Sequence, residues 1–347
     1  MEEFNLEKMI RANVKAMKSY SSARDEFTST NQNLVFLDAN ENPFETGMNR
    51  YPDTKQISLK QILAKQKNVL ASSILIGNGS DEVLDLIFRA FCEPNVDSII
   101  TLPPTYGMYG VLAQLNAVEN REVLLTADFQ LDVEEILKQV TNTTKIIFLC
   151  SPNNPTGNSL QTVSIEKILN EFQGLVVIDE AYIDFATQES WLTQLENYPN
   201  LIITQTLSKA YGLAGIRIGI AYASPEIIQV LTKIKPPYNV NSLSQTQAIL
   251  SLNESNKLKE EVAALTSLRT LLQKELPKLS YIEKVFPTDA NFILIRVDDA
   301  NVRYQQLLSQ GIVVRNRTND LLCKNCLRIT IGTPEETDKL LTILKEL

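Results

Sequence analysis

The chain has 347 residues, with 33 Lys+Arg against 41 Asp+Glu for a net charge of −8, and it contains no histidine. Without an imidazole there is no Ser-His-Asp or Cys-His triad and no histidine-ligated zinc or haem, so proton transfer falls to a lysine, tyrosine, carboxylate, cysteine or cofactor. The acidic balance argues against a broad nucleic-acid or anionic-membrane surface, although a small anionic ligand needs only a local positive cluster.

The length suggests roughly two domains. The start, Met1–Glu7, is acidic where a secretion signal would be basic, and no apolar run approaches the roughly 18 residues of a membrane span. A soluble, cytoplasmic protein is expected. In chain order, apolar runs predict strands at Ile74–Gly77, Ser98–Thr101, Glu122–Leu125, Lys145–Leu149, Leu175–Ile178, Leu201–Thr204 and Ile218–Tyr222. Helical patterns lie between several of them. Val83, Leu84, Ile87, Phe88 and Phe91 mark one helix face. The runs are continuous rather than alternating, as in parallel strands covered on both faces. The expected fold is therefore α/β, a large domain with a mainly parallel sheet over residues 45–250. Residues 1–44 are expected to form an N-terminal arm and part of the small domain, with the rest of that smaller α+β domain over 251–347. That last region shows a long helix near 257–278, strands at Phe292–Val297, Ile312–Arg315 and Leu327–Ile331, and helices near 301–310 and 335–346.

Of four cysteines, two form Cys323-Lys324-Asn325-Cys326. A zinc site needs a second ligand pair. Cys92 and Cys150 lie in separate hydrophobic segments, so no metal is expected and the two thiols read as incidental.

In open α/β sheets, ligands bind beyond the carboxyl ends of the strands. Five predicted strand ends deliver polar or aromatic groups: Gly77-Asn78-Gly79-Ser80-Asp81, then Pro103–Tyr106, Ser151-Pro152-Asn153-Asn154-Pro155-Thr156-Gly157, Asp179–Tyr182, and Thr206-Leu207-Ser208-Lys209 with Arg217 beyond. The first fits a phosphate cradle at a helix N-terminus or a plain helix cap. The Ser151–Gly157 run fits a ligand-facing Asn or only a turn. Asp179 follows an apolar run and needs a partner if buried. Crowding would lower the charge of Lys209 and make it a nucleophilic amine. Together, an anion cradle, a flat aromatic, an Asn, a buried Asp, a Tyr and a Lys are what pyridoxal phosphate requires.

These residues resemble the fold-type I pyridoxal-phosphate aminotransferases, and within them the branch acting on histidinol phosphate. The likeness is carried by Leu37–Pro43, Arg50–Asp53, Gly77–Glu82, Pro103–Tyr109, Ser151–Gly157, Val177–Tyr182, Thr206–Gly219 and Cys326–Gly332. It implies pyridoxal 5'-phosphate bonded to Lys209, which also moves the proton. It implies Asp179 on the ring nitrogen, Asn154 and Tyr182 on the ring oxygen, and Tyr106 stacked on the ring. Ser80, Asp81, Ser208 and Arg217, with Thr206 as a helper, would bind the cofactor phosphate. Tyr51 would reach the cofactor phosphate of a neighbouring subunit, implying a homodimer.

Substrate recognition would fall to Tyr20, Asn40, Arg315 and Arg328. Arg315, Arg317, Lys324 and Arg328 face only Asp320 between 315 and 328, a local net +3. That cluster suits a phosphate or is a solvated face. The implied reaction moves the amino group of L-histidinol phosphate to 2-oxoglutarate, giving an imidazole-acetol phosphate and L-glutamate in histidine biosynthesis. The alternatives are an aromatic amino-acid aminotransferase, a lyase resembling threonine-phosphate decarboxylase, and a cofactor-binding sensor.

Overall fold

The apolar runs become the inner strands of a computed structural model that describes residues 4–19 and 34–347. The strands are β1 (Ile74–Asn78), β2 (Ser98–Thr101), β3 (Glu119–Glu122), β4 (Thr144–Cys150), β5 (Leu175–Asp179), β6 (Leu201–Thr206) and β7 (Ile218–Ala223). They form one sheet in the order β1-β7-β6-β5-β4-β2-β3. The pairs from β3 through β6 are parallel, whereas β7 runs antiparallel to both β6 and β1. Its reversal brings the start of β7, and Arg217 before it, to the edge where β1 and β6 end.

Strand alternation separates two hydrophobic layers. Ile147, Leu149, Val176 and Ile178 face helices Ile57–Lys67, Thr162–Glu171 and Ser242–Leu252. Ile146, Phe148, Leu175 and Val177 face helices Ser80–Phe91, Met108–Leu115 and Pro225–Ile234. Each fully buried Leu, Ile or Phe in these layers stabilises by about 1.5–3 kcal/mol. In the second layer Phe148 lies between two rings, stacking on Phe88 at 5.3 Å and on Tyr109 at 4.8 Å.

A second sheet, order β10-β11-β9-β8, is wholly antiparallel. Its strands are β8 (Ile282–Val285), β9 (Phe292–Val297), β10 (Arg315–Asn316) and β11 (Cys326–Thr330). Helices Ser255–Glu275, Ala300–Ser309 and Pro334–Glu346 share its core through Leu272, Leu307, Leu341 and Leu344. Buried Arg269 ties this region to the first sheet, donating to the carbonyls of Phe185 at 3.2 Å and Ala290 at 2.9 Å. Asp289 adds a second tie: its N–H donates to the Gly157 carbonyl at 2.7 Å, and its carboxylate accepts from the Ser159 N–H at 3.1 Å.

The sequence places the third strand at Glu122–Leu125, but it is Glu119–Glu122. An edge strand has one neighbour, and charged side chains there guard it against stray pairing, so hydropathy misses it. Val123 and Leu125 follow it into the core. The half-exposed strand β8, with Glu283 and Lys284 at its centre, likewise shows no apolar run, and the predicted Ile312–Arg315 strand reduces to Arg315–Asn316. Among the described residues no helix is long and apolar enough to cross a membrane.

Candidate active site

The strand ends converge on a cleft of about 590 Å³. Ser80, Asp81, Tyr106, Asn154, Asp179, Tyr182, Thr206, Ser208, Lys209, Arg217, Arg315 and Arg328 all line it. Asn40 and Tyr51 do not. They line a separate cavity of about 600 Å³ with Arg50, Ser242 and Leu243. Tyr51 is half exposed and stacks on Tyr238 at 4.3 Å. Tyr20 lies outside the described residues.

One end of the cleft is an anion cradle. Helix Ser80–Phe91 begins after Gly79 with no side chain capping its first turn, so backbone N–H groups are left to donate to a ligand's anionic group. A Cβ on Gly219 would collide with the Ser80 nitrogen, and one on Gly79, at φ +83°, with the Arg217 guanidinium. Glycine at both positions keeps the cradle open. Arg217 is held at φ +54°, in the left-handed region a side chain seldom adopts. The Thr206 and Ser208 hydroxyls lie 3.0 Å apart, and Thr206 Oγ1 also accepts from the Ser208 N–H at 3.1 Å. The Asp81 carboxylate pairs with Arg217 at 3.5 Å and accepts from the Tyr106 hydroxyl at 3.0 Å.

Asp179, 4% exposed, sits beyond Leu175 and Val177 on the same face of β5. Its Oδ2 accepts from Tyr109 at 2.8 Å and its Oδ1 from the Ala181 N–H at 3.1 Å. Burial pushes its carboxyl above the usual range, and these donors hold it back. Such a group gains most from a cation placed beside it.

In the Ser151–Gly157 turn, Asn153 serves the turn itself. Its side chain donates to the Pro104 carbonyl at 2.8 Å and to Thr156 Oγ1 at 2.7 Å. That frees Asn154 for the cleft, where its amide donates to the Tyr182 hydroxyl at 3.4 Å and its carbonyl accepts from Arg328. Burial raises the Tyr182 phenol, so it stays protonated near neutral pH.

Among the described residues Lys209 is the only lysine lining this cleft, and its ammonium lies 5.5 Å from the Tyr182 ring centre. Its side chain opens to the cleft, yet desolvation by the walls lowers its pKa below the ordinary lysine value. The Arg328 and Arg217 guanidinium groups push the same way, against Asp179 and Asp81. A neutral amine at moderate pH is a nucleophile.

One residue beneath the cleft and one that lines it are missing from the site predicted by the sequence. Tyr109 is fully buried and reads as core, although it lies one helical turn beyond Tyr106 in Pro-Thr-Tyr-Gly-Met-Tyr. Arg317, two positions beyond Arg315, joins the cleft wall through the local alternation of the chain. Tyr106, expected to lie against a ligand ring, packs edge-on to Tyr109 at 5.6 Å with its hydroxyl on Asp81.

This donor set suits a planar ligand with an anionic group at one end, a cationic ring nitrogen at the other, an oxygen between them and a carbonyl carbon within an amine's reach. Pyridoxal phosphate has each of these groups.

Residues 32–344 match the family model described as aminotransferase class I and II. The chain is 63% identical to the histidinol-phosphate aminotransferase of Flavobacterium johnsoniae, over 100% of this chain and 99% of that one. The crystal structure of the Clostridium acetobutylicum histidinol-phosphate aminotransferase is similar at a TM-score of 0.80 and 26% identity, covering 86% of this chain and 91% of that one. The Sinorhizobium meliloti histidinol-phosphate aminotransferase, solved in complex with pyridoxal-5'-phosphate, is similar at 0.78 and 25%, covering 86% of this chain and 82% of that one.

Proposed function

Because this chain belongs to the aminotransferase class I and II family, we propose that it moves the amino group of L-histidinol phosphate to 2-oxoglutarate. The products are imidazole-acetol phosphate and L-glutamate. The single observation that carries this reading is one cleft holding a desolvated lysine, a buried carboxylate and an anion cradle at successive strand ends.

Pyridoxal 5'-phosphate, when bound, accepts the amino group, draws electrons from the substrate carbon and returns the amino group to the oxo acid. Asp179 would hold its ring nitrogen protonated, and Asn154 with Tyr182 would donate to its ring oxygen. Tyr106 would cover the ring face. Ser80 and Asp81, through backbone N–H groups, with Thr206, Ser208 and Arg217, would take the phosphate. Lys209 would form the covalent bond.

Lys209, whose amine is held below the ordinary lysine pKa by desolvation, would take the proton from the carbon bearing the substrate's amino group and, in the second half of the reaction, would return a proton to the corresponding carbon of the oxo acid. No histidine is needed at either step. Arg315, Arg317 and Arg328 converge on the cleft and would grip the substrate phosphate in one half-reaction and oxo-acid carboxylates in the other.

The assembly is read as a homodimer. The arm carrying Asn40 and Tyr51 exposes Val35, Leu37, Phe44 and Met48, which an isolated chain would leave in water. Its cavity is distinct from the chain's own cleft, which supports Tyr51 serving a second copy. Lys209→Ala tests the chemical reading. Turnover falls at least about a thousandfold; near-normal turnover without an added amine overturns the reading.

A further inference from the structure

The Cys323–Cys326 pair, which the sequence pattern alone reads as incidental, lies at the entry to β11, in the connection between the strands that carry the cleft arginines. Arg315 pairs with Arg328 across β10 and β11, and Asn316 with Leu327. The connection between these strands folds through three consecutive backbone turns. Asp320 N–H donates to Arg317 O at 2.9 Å, Cys323 N–H to Asp320 O at 3.0 Å, and Cys326 N–H to Cys323 O at 3.0 Å. Arg317 N–H then donates to Cys326 O at 2.9 Å and closes the loop.

We propose that Cys323 and Cys326 are a redox-modification site that closes into a reversible disulfide and staples the Arg315–Arg328 hairpin. Three features of the geometry carry this. First, the Cys326-to-Cys323 hydrogen bond defines a four-residue turn, which holds its end Cα atoms within about 7 Å. A disulfide spans about 4.4–6.8 Å between Cα atoms, so the turn brings the two cysteines to the neighbourhood of bridging range. Second, both thiols are fully buried and close enough to influence one another, with Cys326 Sγ also donating to the Lys324 carbonyl at 3.5 Å. Third, the turn is pinned rather than loose. Asn325, at φ +56°, donates from its side chain to Asp298 O at 2.9 Å. Its N–H donates to Thr318 Oγ1 at 2.9 Å, and its carbonyl accepts from Val297 N–H at 2.9 Å.

The surroundings also make one sulfur the attacking group. Contact with Cys323 and with the Arg296 guanidinium lowers the Cys326 thiol, while that same contact raises Cys323. A stabilised thiolate favours the reduced form, so the bridge is a reversible one rather than a permanent strut. Leu322 and Lys324, flanking Cys323, are exposed, so the pair lies one residue from solvent and within reach of a small oxidant.

With hydrogen peroxide as oxidant, Cys326 thiolate attacks one peroxide oxygen and breaks the O–O bond. The departing oxygen takes a proton and leaves as water. Cys323 sulfur then attacks the resulting sulfenic sulfur, forming the S–S bond and releasing the second oxygen as water with the remaining protons. Two thiols lose two electrons and peroxide gains them.

The sequence supplies a direct assay. Lys324 lies between the two cysteines, so trypsin separates them and only a disulfide holds the fragments together. Full-length protein loaded with its cofactor is treated with peroxide, quenched, alkylated and digested without reductant. Wild type should yield fragment Thr318–Lys324 joined to Asn325–Arg328, and dithiothreitol should release it. Cys323→Ser and Cys326→Ser should yield no such species. Amide hydrogen exchange over 315–317 and 326–330 should slow about threefold or more in the oxidised wild type only. Absence of the joined fragment, a bridge to Cys92 or Cys150 instead, or a joined fragment with unchanged exchange overturns the proposal.

Discussion

The Tyr109 hydroxyl donates to Asp179 Oδ2 at 2.8 Å from within the hydrophobic layer beneath the cleft. The Tyr109 ring is locked by its stack on Phe148, so the hydroxyl has little freedom to leave. The carboxylate proposed to face a cationic ring nitrogen is thereby aimed by a residue that does not line the Lys209 cleft.

Tyr109→Phe removes that donor and keeps the ring. One hydrogen bond to a charged group is worth about 1.5–3 kcal/mol, so kcat at neutral pH should fall roughly tenfold or more while the fold survives. The sign of the pH effect follows from Asp179. Its carboxyl is already raised by burial, and Tyr109 works against that rise. Removing Tyr109 raises it further, so the acid limb of the kcat profile should move to higher pH. A steady kcat profile across pH 5–8 would count against the aiming role.

Arg328 acts on Lys209 at a distance as well as on the cleft wall. After desolvation, its charge is the largest influence lowering the lysine. Arg328→Gln should therefore move the Lys209 pKa upward, toward the ordinary value of 10.5. Capture of pyridoxal phosphate by the cofactor-free protein, followed against pH, should shift to the alkaline side. The KM for histidinol phosphate should rise about tenfold or more from loss of a charge-assisted bond. A capture profile shifted to the acid side contradicts this account.

Tyr51 gives a test of shared sites. Tyr51→Ala and Lys209→Ala should each be impaired alone. Mixed and re-equilibrated, they should recover activity, because a heterodimer has one site with both wild-type groups. Recovery absent from a mixture proven by mass to contain heterodimers would place Tyr51 outside the neighbour's site.

The sequence reading went furthest where chain topology does the work. In a sheet of parallel strands the carboxyl ends gather at one edge, so polar residues after Ile178 and Gln205 could be assigned to one site without coordinates. Lys209 and Asp179 were legible for that reason. Tyr109 was not, because a tyrosine on an apolar helix face gives the same pattern whether or not its hydroxyl meets a carboxylate. Arg317 lay inside a recognised charge cluster, but which of its side chains turn to the cleft depends on the short β10–β11 pairing. The cavity around Asn40 and Tyr51 was not legible either, since it joins the arm to Ser242 and Leu243, far along the chain. Glu119–Glu122 escaped because an edge strand is defined by its backbone partner, not by its hydropathy.

The central claim is most directly tested by the first half-reaction alone. Cofactor-loaded protein is mixed with histidinol phosphate in the absence of any oxo acid, and the phosphorylated ketone is quantified. The account predicts one equivalent of imidazole-acetol phosphate per site and no more, with turnover resuming when 2-oxoglutarate is added. Ketone formed only when both substrates are present, or carbon dioxide released from a phosphorylated amino acid without an oxo acid, would contradict it.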